Sequence, residues 1–151
     1  MKSPSKIGFI GLGLIGGSIA KAIRQYYPDT EIAAFDKNKE TLALAARESV
    51  ADVVSSSIDD SFMHCDYIFL CAPVAFNTAY LKQLQRFFHP GLIITDVGSV
   101  KTSIHEEVIS LGMEEYFIGG HPMAGSEKSG FSNAKAMLIE NAYYIITPTS
   151  S

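Results

Sequence analysis

The sequence contains few of the features that mark several large classes of proteins. It has only two cysteines, no low-complexity tract and no cluster of lysines and arginines. The net charge of −4 therefore argues against nucleic acid as a partner. No apolar run approaches the roughly 20 residues that are needed to span a bilayer. What remains is an ordinary globular composition, 47% hydrophobic and 19% charged, in a chain of 151 residues.

The cysteines and the N-terminal residues also give information on the cellular compartment of the protein. Cys65 and Cys71 flank a strand-like run, and we expect reduced thiols in a cytoplasmic protein rather than a disulfide. Metal binding would need more ligands than are visible, so we predict no metal site. The N-terminal "MKSPSKIGFIGLGLIGGS" is interrupted by glycines and continues into a helical pattern that carries Lys21 and Arg24. We therefore do not interpret it as a signal peptide.

Segments with strand and helix patterns alternate along the chain. The predicted strands are 6–11, 31–36, 51–54, 65–72, 92–97, 115–120 and 142–147. The predicted helices are 14–27, 39–48, 75–88, 100–112 and a weaker one at 133–140. This alternation, with short connections, predicts an α/β fold of the Rossmann type: a doubly wound, mainly parallel sheet with helices on both faces. No linker interrupts it, so we expect one domain over residues 1–151.

The stretch "GLGLIGG" carries the G-x-G-x-x-G spacing of a dinucleotide-binding turn. Gly11 permits the tight turn out of the strand, Gly13 lets a pyrophosphate approach the backbone, and Gly16 lets the helix pack closely on the sheet. The amides at the helix start, at Leu14 and Ile15, would face the phosphates. The alternative is a tight strand-to-helix turn that binds no ligand.

An acidic residue at the end of the second predicted strand strengthens the prediction of a nucleotide-binding site. Asp36 lies twenty positions after Gly16, where a carboxylate can accept both hydroxyls of the adenosine ribose. A carboxylate repels a 2′-phosphate, so NAD is favoured over NADP. Lys37 and Lys39 keep NADP open, because a nearby cation could hold the phosphate.

Two further motifs lie at the ends of the fourth and fifth predicted strands. "CAPV" would place Ala72 and Pro73 beside the cofactor, since ligands of such sheets lie across the carboxyl ends of the strands. In "DVGSVK", Ser99 offers a hydroxyl, either as a cap of the next helix or as part of the site as well. Lys101 is either a solvated surface charge or a functional cation.

The loop "GGHPMAGSEKSG" supplies a candidate for acid–base chemistry. His121 follows the sixth predicted strand, so we expect it at the same edge of the sheet as the other motifs. An ordinary histidine pKa of about 6.5 suits proton abstraction near neutrality. Ser126 and Glu127 are candidates for orienting a substrate.

Together these motifs resemble the prephenate/arogenate dehydrogenase family of tyrosine biosynthesis. The match is carried by "GLGLIGGS", "FD", "CAPV", "DVGSVK", "GGHPMAGSEKSG" and "ENAYYIITP", which run over nearly the whole chain. The pairing of "DVGSVK" with "HPMAGSEKSG" is far more specific than the glycine fingerprint alone.

The resemblance implies NAD-dependent oxidative decarboxylation of prephenate to 4-hydroxyphenylpyruvate, or of arogenate to tyrosine. On the family pattern His121 draws the proton from the ring hydroxyl, Ser99 sits between His121 and the nicotinamide, and Glu127 lies at the edge of the substrate pocket. Family members continue into an all-helical domain that forms a homodimer and supplies basic residues for the substrate carboxylates. That domain is absent here, so we expect this polypeptide alone to be inactive or weakly active.

Two other functions stay open at this point. One is a free-standing, non-catalytic NAD-binding module. The other is a dehydrogenase of the β-hydroxyacid type, which shares the glycine motif but usually relies on a lysine from a later helical region. The "HPMAGSEKSG" loop argues against both.

Overall fold

The computed structural model of the protein describes residues 3–149. Its strands are β1 (Lys6–Ile10), β2 (Glu31–Phe35), β3 (Val53–Ser55), β4 (Tyr67–Leu70), β5 (Ile93–Asp96), β6 (Phe117–Pro122) and β7 (Tyr144–Pro148). Its helices are α1 (Leu14–Tyr26), α2 (Lys39–Arg47), α3 (Val74–Leu84), α4 (Thr102–Ser110) and α5 (Met137–Glu140). Single 3₁₀ turns lie at Asp60–Phe62, Gln85–Phe87 and Phe131–Asn133.

The strands form one sheet in the order β3-β2-β1-β4-β5-β6-β7. Every neighbouring pair from β3 to β6 is parallel, and β7 is antiparallel to β6. The predicted Rossmann-type, mainly parallel sheet is therefore confirmed. The order reverses between β1 and β4, where the ligands of such sheets bind in the crevice beyond the carboxyl ends of the strands.

Apolar side chains cover the sheet on both faces, as parallel strands require. On one face α3 and α4 pack over β4 and β5, with Leu81 and Ile104 almost fully buried. On the other face α1 and α2 pack over β1 and β2. The rings of Phe9 and Phe69 stack across the β1–β4 pair with centroids 5.2 Å apart.

The α1 face is less completely covered beyond β4. An apolar groove of about 510 Å³ runs there between α1 and the last strands, and Phe69, Ile118 and Ile146 are among its lining side chains. Within residues 3–149 no helix combines the length and the apolar character needed to cross a membrane.

Most predicted elements are present, with shifts of a few residues at their ends. The predicted helix at 133–140 is the main exception, because only the single turn α5 (Met137–Glu140) is helical. Residues before it are committed to packing on α1: Phe131 lies against Gly17, and the amide of Lys135 donates to the Ser18 hydroxyl at 3.0 Å. Ala134 is extended, at φ −68° and ψ 136°.

Candidate active site

Two of the three glycines of the first turn, Gly11 and Gly16, have a geometric reason to be glycine within the protein itself. Gly11 has a φ of +98°, and a Cβ there would lie 2.8 Å from the amide nitrogen of Ala72. At Gly16 a Cβ would lie 2.7 Å from the Cβ of Cys71, so the helix packs on the sheet at van der Waals limits. A Cβ on Gly13 would meet no atom within 4 Å. The open side of the turn therefore faces the crevice.

Helix α1 begins directly after that open side. Gly13 occupies its N-cap position, and no side chain of residues 3–149 makes a capping hydrogen bond there. The first amides of a helix, here including those of Leu14 and Ile15, have no intrahelical acceptor and carry a partial positive charge. This arrangement suits an anionic group such as a pyrophosphate.

Asp36 lies beside the glycine turn, immediately after β2. Its Oδ2 accepts a hydrogen bond from the amide of Leu12 at 2.8 Å, and its Oδ1 accepts one from the amide of Asn38 at 2.8 Å. Each carboxylate oxygen has a second lone pair, so two acceptor sites remain for a ligand. The side chain is thus held in place and still able to accept hydrogen bonds from a ribose.

A cavity of about 200 Å³ opens between the glycine turn and α3. Its lining combines the residues predicted to hold a cofactor with aromatic side chains: Gly11, Gly13, Phe35, Asp36, Lys37, Cys71, Ala72, Pro73, Phe76 and Tyr80. Pro73 stands at the N-cap position of α3. The Lys37 ammonium lies over the Phe76 ring, 4.5 Å from its centroid. The glycine turn, the free amides at the start of α1, the Asp36 carboxylate and this cavity together suit a dinucleotide.

Lys101 is not the solvated surface charge that one reading of the sequence predicts. Its side chain is 17% exposed and its Nζ lies 2.6 Å from Oδ2 of Asp96, which is 1% exposed. The same nitrogen donates to the carbonyl oxygens of Gly98 at 2.5 Å and Gly120 at 2.6 Å. The loop after β5 and the end of β6 are therefore joined through one ammonium group.

Ser99 lies in that loop, between Asp96 and Lys101, and is exposed. The expectation that it caps the next helix is wrong, because α4 begins at Thr102 with Lys101 at its N-cap position, and no side chain in the described part of the protein caps it. A contribution of the Ser99 hydroxyl to the candidate active site is the one of its two predicted roles that remains.

Gly119 and Gly120, the two glycines before the histidine, are each in close contact with a side chain, and the two side chains lie on opposite faces of the sheet. A Cβ on Gly119 would lie 2.7 Å from Nε2 of His105, which projects from α4. A Cβ on Gly120 would lie 2.6 Å from the hydroxyl of Tyr144 in β7. Side chains at these two positions would push β6 away from its neighbours.

His121 lies within β6, paired with Ile145, and does not follow the strand as predicted. The hydrogen-bonded ladder continues through Pro122, and the amide of Met123 donates to the carbonyl oxygen of Tyr143 at 2.7 Å. Alternation along the strand puts His121 on the same face as Gly119, the face covered by α4. It is half-buried, and its Nδ1 is buried without a hydrogen-bond partner among residues 3–149.

Ser126 and Glu127 lie in the exposed loop that follows β6. The Ser126 hydroxyl accepts a hydrogen bond from the amide of Lys128 at 3.2 Å. In the described part of the chain no hydrogen bond joins either side chain to His121. Their predicted contact with a substrate stays a prediction.

Sequence reasoning missed two residues near this edge. Asp96 organises the loop around Ser99, and the available signal was an acidic residue ending a buried strand five positions before a lysine. Tyr144 covers Gly120; burial raises the pKa of its hydroxyl to about 12, and a hydrogen bond to Thr95 lowers it in part. No sequence pattern pairs Tyr144 with Gly120, because the contact depends on the reversal of β7.

Both cysteines are free thiols. Burial raises the pKa of Cys65 to about 12 and also raises the pKa of Cys71. Cys71 packs beneath Gly16, so it supports the glycine turn.

Comparisons with known proteins connect this site to one family. Residues 19–151 match the family model described as prephenate dehydrogenase, nucleotide-binding domain. A prephenate dehydrogenase from Lactococcus lactis subsp. cremoris is 42% identical over 148 residues, which cover 96% of this chain and 41% of the relative.

Two solved structures resemble the whole domain. The prephenate dehydrogenase of A. aeolicus, solved with hydroxyphenyl propionate and NAD+, has a TM-score of 0.89 and 31% identity over 99% of this chain and 52% of its own. Arogenate dehydrogenase from Synechocystis has a TM-score of 0.86 and 35% identity over 96% of this chain and 50% of its own. The chain thus spans about half the length, or less, of these relatives.

Proposed function

Because the chain belongs to the prephenate dehydrogenase family and forms its nucleotide-binding domain, we propose that it is the NAD-binding part of an enzyme that oxidatively decarboxylates prephenate or arogenate. Residues 1–151 supply the cofactor site and the catalytic histidine. A further, helical part of the full-length protein forms the homodimer and binds the substrate carboxylates. We place this biosynthetic enzyme in the cytoplasm.

One observation carries the proposal: a half-buried histidine lies near the carboxyl end of β6, on the same edge of the parallel sheet as the dinucleotide-type crevice. The Nδ1 of His121 is buried and therefore out of reach of a ligand, which leaves Nε2 as the ring nitrogen that can meet a substrate. The glycine turn, the uncapped start of α1 and the Asp36 carboxylate account for the pyrophosphate and ribose ends of the cofactor.

NAD is favoured over NADP by the acceptors of Asp36. A 2′-phosphate would bring a second negative charge next to this carboxylate. Lys37 could offset it, but its ammonium is already engaged over Phe76. Gly11, Gly13, Gly16, Ala72 and Pro73 complete the surroundings of the cofactor.

Bound NAD supplies the hydride acceptor for the reaction. His121 accepts a hydrogen bond from the ring hydroxyl and takes its proton as the C4–H electron pair departs as hydride. Cleavage of the bond between the ring and its carboxylate releases CO2 and makes the ring aromatic, and the proton on His121 returns to the aromatic oxygen. Ser99 aligns the histidine, while Ser126 and Glu127 border the substrate.

The test uses the full-length protein with NAD and either prephenate or arogenate, following NADH and CO2 together. We expect the wild-type protein to form NADH and CO2 in equal amounts. In His121→Asn, turnover should fall by several orders of magnitude while NAD affinity stays unchanged. His64→Asn is a matched control, since His64 is exposed at a φ of 62°, a conformation that asparagine tolerates. Wild-type turnover in His121→Asn would remove the histidine from the chemistry.

A further inference from the structure

We propose that Asp96 and Lys101 are positioning residues that hold His121 through the peptide groups of Gly120. The inference rests on the proposed catalytic role of His121. Every hydrogen bond recorded for the two side chains is made within the protein, and each side chain has a definite hydrogen-bonding task.

The Asp96 carboxylate binds backbone on two separate segments. Its Oδ1 accepts a hydrogen bond from the amide of Gly120 at 3.2 Å, and its Oδ2 accepts one from the amide of Gly98 at 3.0 Å. Asp96 is 1% exposed, so these bonds are shielded from water. A buried carboxylate of this kind requires a counterion as well as hydrogen bonds.

Lys101 supplies that counterion and binds the same two segments from the carbonyl side. Its Nζ contacts Oδ2 of Asp96 and the carbonyl oxygens of Gly98 and Gly120, all within 2.6 Å. An ammonium group has three donors, and all three are used here. Lys101 therefore has no donor left for a substrate, which separates a positioning role from a catalytic one.

Both peptide groups that flank the α-carbon of Gly120 are consequently fixed by one ion pair. The second of these peptide groups contains the amide nitrogen of His121. Glycine has more backbone freedom than any other residue, and Gly120 has no side chain with which to hold the strand. The ion pair between Asp96 and Lys101 supplies that restraint. The same two side chains also bind the backbone of Gly98, the neighbour of Ser99, so the two segments are held together. Displacement of a catalytic group by about 1 Å can cost on the order of 100-fold in rate.

The competing role is purely structural: the pair could stabilise the fold without affecting the reaction. Lys101→Arg distinguishes the two, because arginine keeps the charge opposite Asp96 but cannot present three donors from one atom. A structural ion pair predicts full turnover of the folded Arg variant. Positioning predicts a lower kcat, with NAD affinity unchanged.

The experiment compares Lys101→Met, Lys101→Arg and a control, Lys6→Met, in the full-length protein. Lys6 pairs with Glu31 at 3.0 Å at the amino edge of the sheet, so its loss removes an ion pair remote from His121. We expect kcat to fall about 100-fold in Lys101→Met, less in Lys101→Arg, and not at all in Lys6→Met. Hydrogen–deuterium exchange should rise over residues 117–122 in the Lys101 variants and stay unchanged over residues 6–10.

Combination with His121→Asn tests whether Lys101 acts through the histidine. If it does, Lys101→Met should change the residual turnover of His121→Asn little, because residues acting as a unit are non-additive. An unchanged exchange rate over 117–122, or an undiminished effect of Lys101→Met without His121, would overturn the inference. If His121→Asn alone retained turnover, the proposed function would fail instead.

Discussion

Asp36 accepts a hydrogen bond from the amide of Leu12, 2.8 Å away, although 24 residues separate them. The carboxylate thus anchors the glycine turn as well as offering acceptors to a ribose. Asp36→Ala should weaken NAD binding and narrow the preference for NAD over NADP, since both the ribose acceptors and the repulsion of a 2′-phosphate are lost. Dissociation constants for the two cofactors measure this. An unaltered ratio would exclude Asp36 from the ribose site.

Alanine substitutions at Gly13 and Gly16 should affect cofactor binding and thermal stability separately. Gly13→Ala introduces a Cβ with no neighbour within 4 Å at an ordinary φ of −75°, so Tm should stay unchanged. NAD affinity should fall, because the added methyl group lies where the pyrophosphate would approach the backbone. Gly16→Ala forces its Cβ to 2.6 Å from the carbonyl oxygen of Gly11, and Tm should fall by several degrees. Thermal unfolding and NAD titration of both variants check this; equal changes in Tm would contradict it.

Gly120→Ala should destabilise the end of β6. The new Cβ would lie 2.6 Å from the Tyr144 hydroxyl and 2.8 Å from the carbonyl oxygen of Asp96, a contact with backbone that cannot rotate away. Overpacking of this kind costs about 1–3 kcal/mol of unfolding free energy. Gly125→Ala is the matched control, since its Cβ would be in open space. Urea unfolding of both should show a loss only in Gly120→Ala.

Cys65 and Cys71 should react slowly with disulfide reagents in the folded protein. Burial raises both pKa values, that of Cys65 to about 12, so the thiolate fraction at pH 8 is very small and rises only as the pH approaches the raised pKa. In urea the ordinary thiol pKa returns and both should react. Counting released thiolate in native and denatured samples tests this, and rapid reaction of two thiols in the native protein would contradict it.

The strands near the centre of the sheet could be predicted because each is a short apolar run bounded by glycine or a polar residue. The glycine turn could be assigned for the same local reason: Gly11 needs a positive φ, and its spacing from Gly13 and Gly16 is visible in the sequence. These features depend on neighbours along the chain. The handedness rules of parallel units then limit the possible strand orders, although more than one doubly wound order satisfies them.

The features that were missed depend on contacts between distant residues. The sequence pattern predicts that the sixth strand ends at Gly120, before the histidine, but β7 pairs with β6 as far as Pro122. The burial of Lys101 depends on acceptors from Gly98 and from Gly120, nineteen positions away. The predicted helix at 133–140 has good helix formers, yet packing on α1 determines its first half.

The reversal of β7 sets the direction in which the chain leaves the sheet. Ile145 stands opposite His121, whereas Pro148 stands opposite Ile118, nearer the amino end of β6. Pro148 therefore lies toward the edge of the sheet remote from the cofactor crevice. A strand of five residues spans roughly 17 Å, so the two ends of β7 lie at opposite edges of the sheet. The first residues of β7, and not its last, therefore accompany His121 at the edge that bears the crevice.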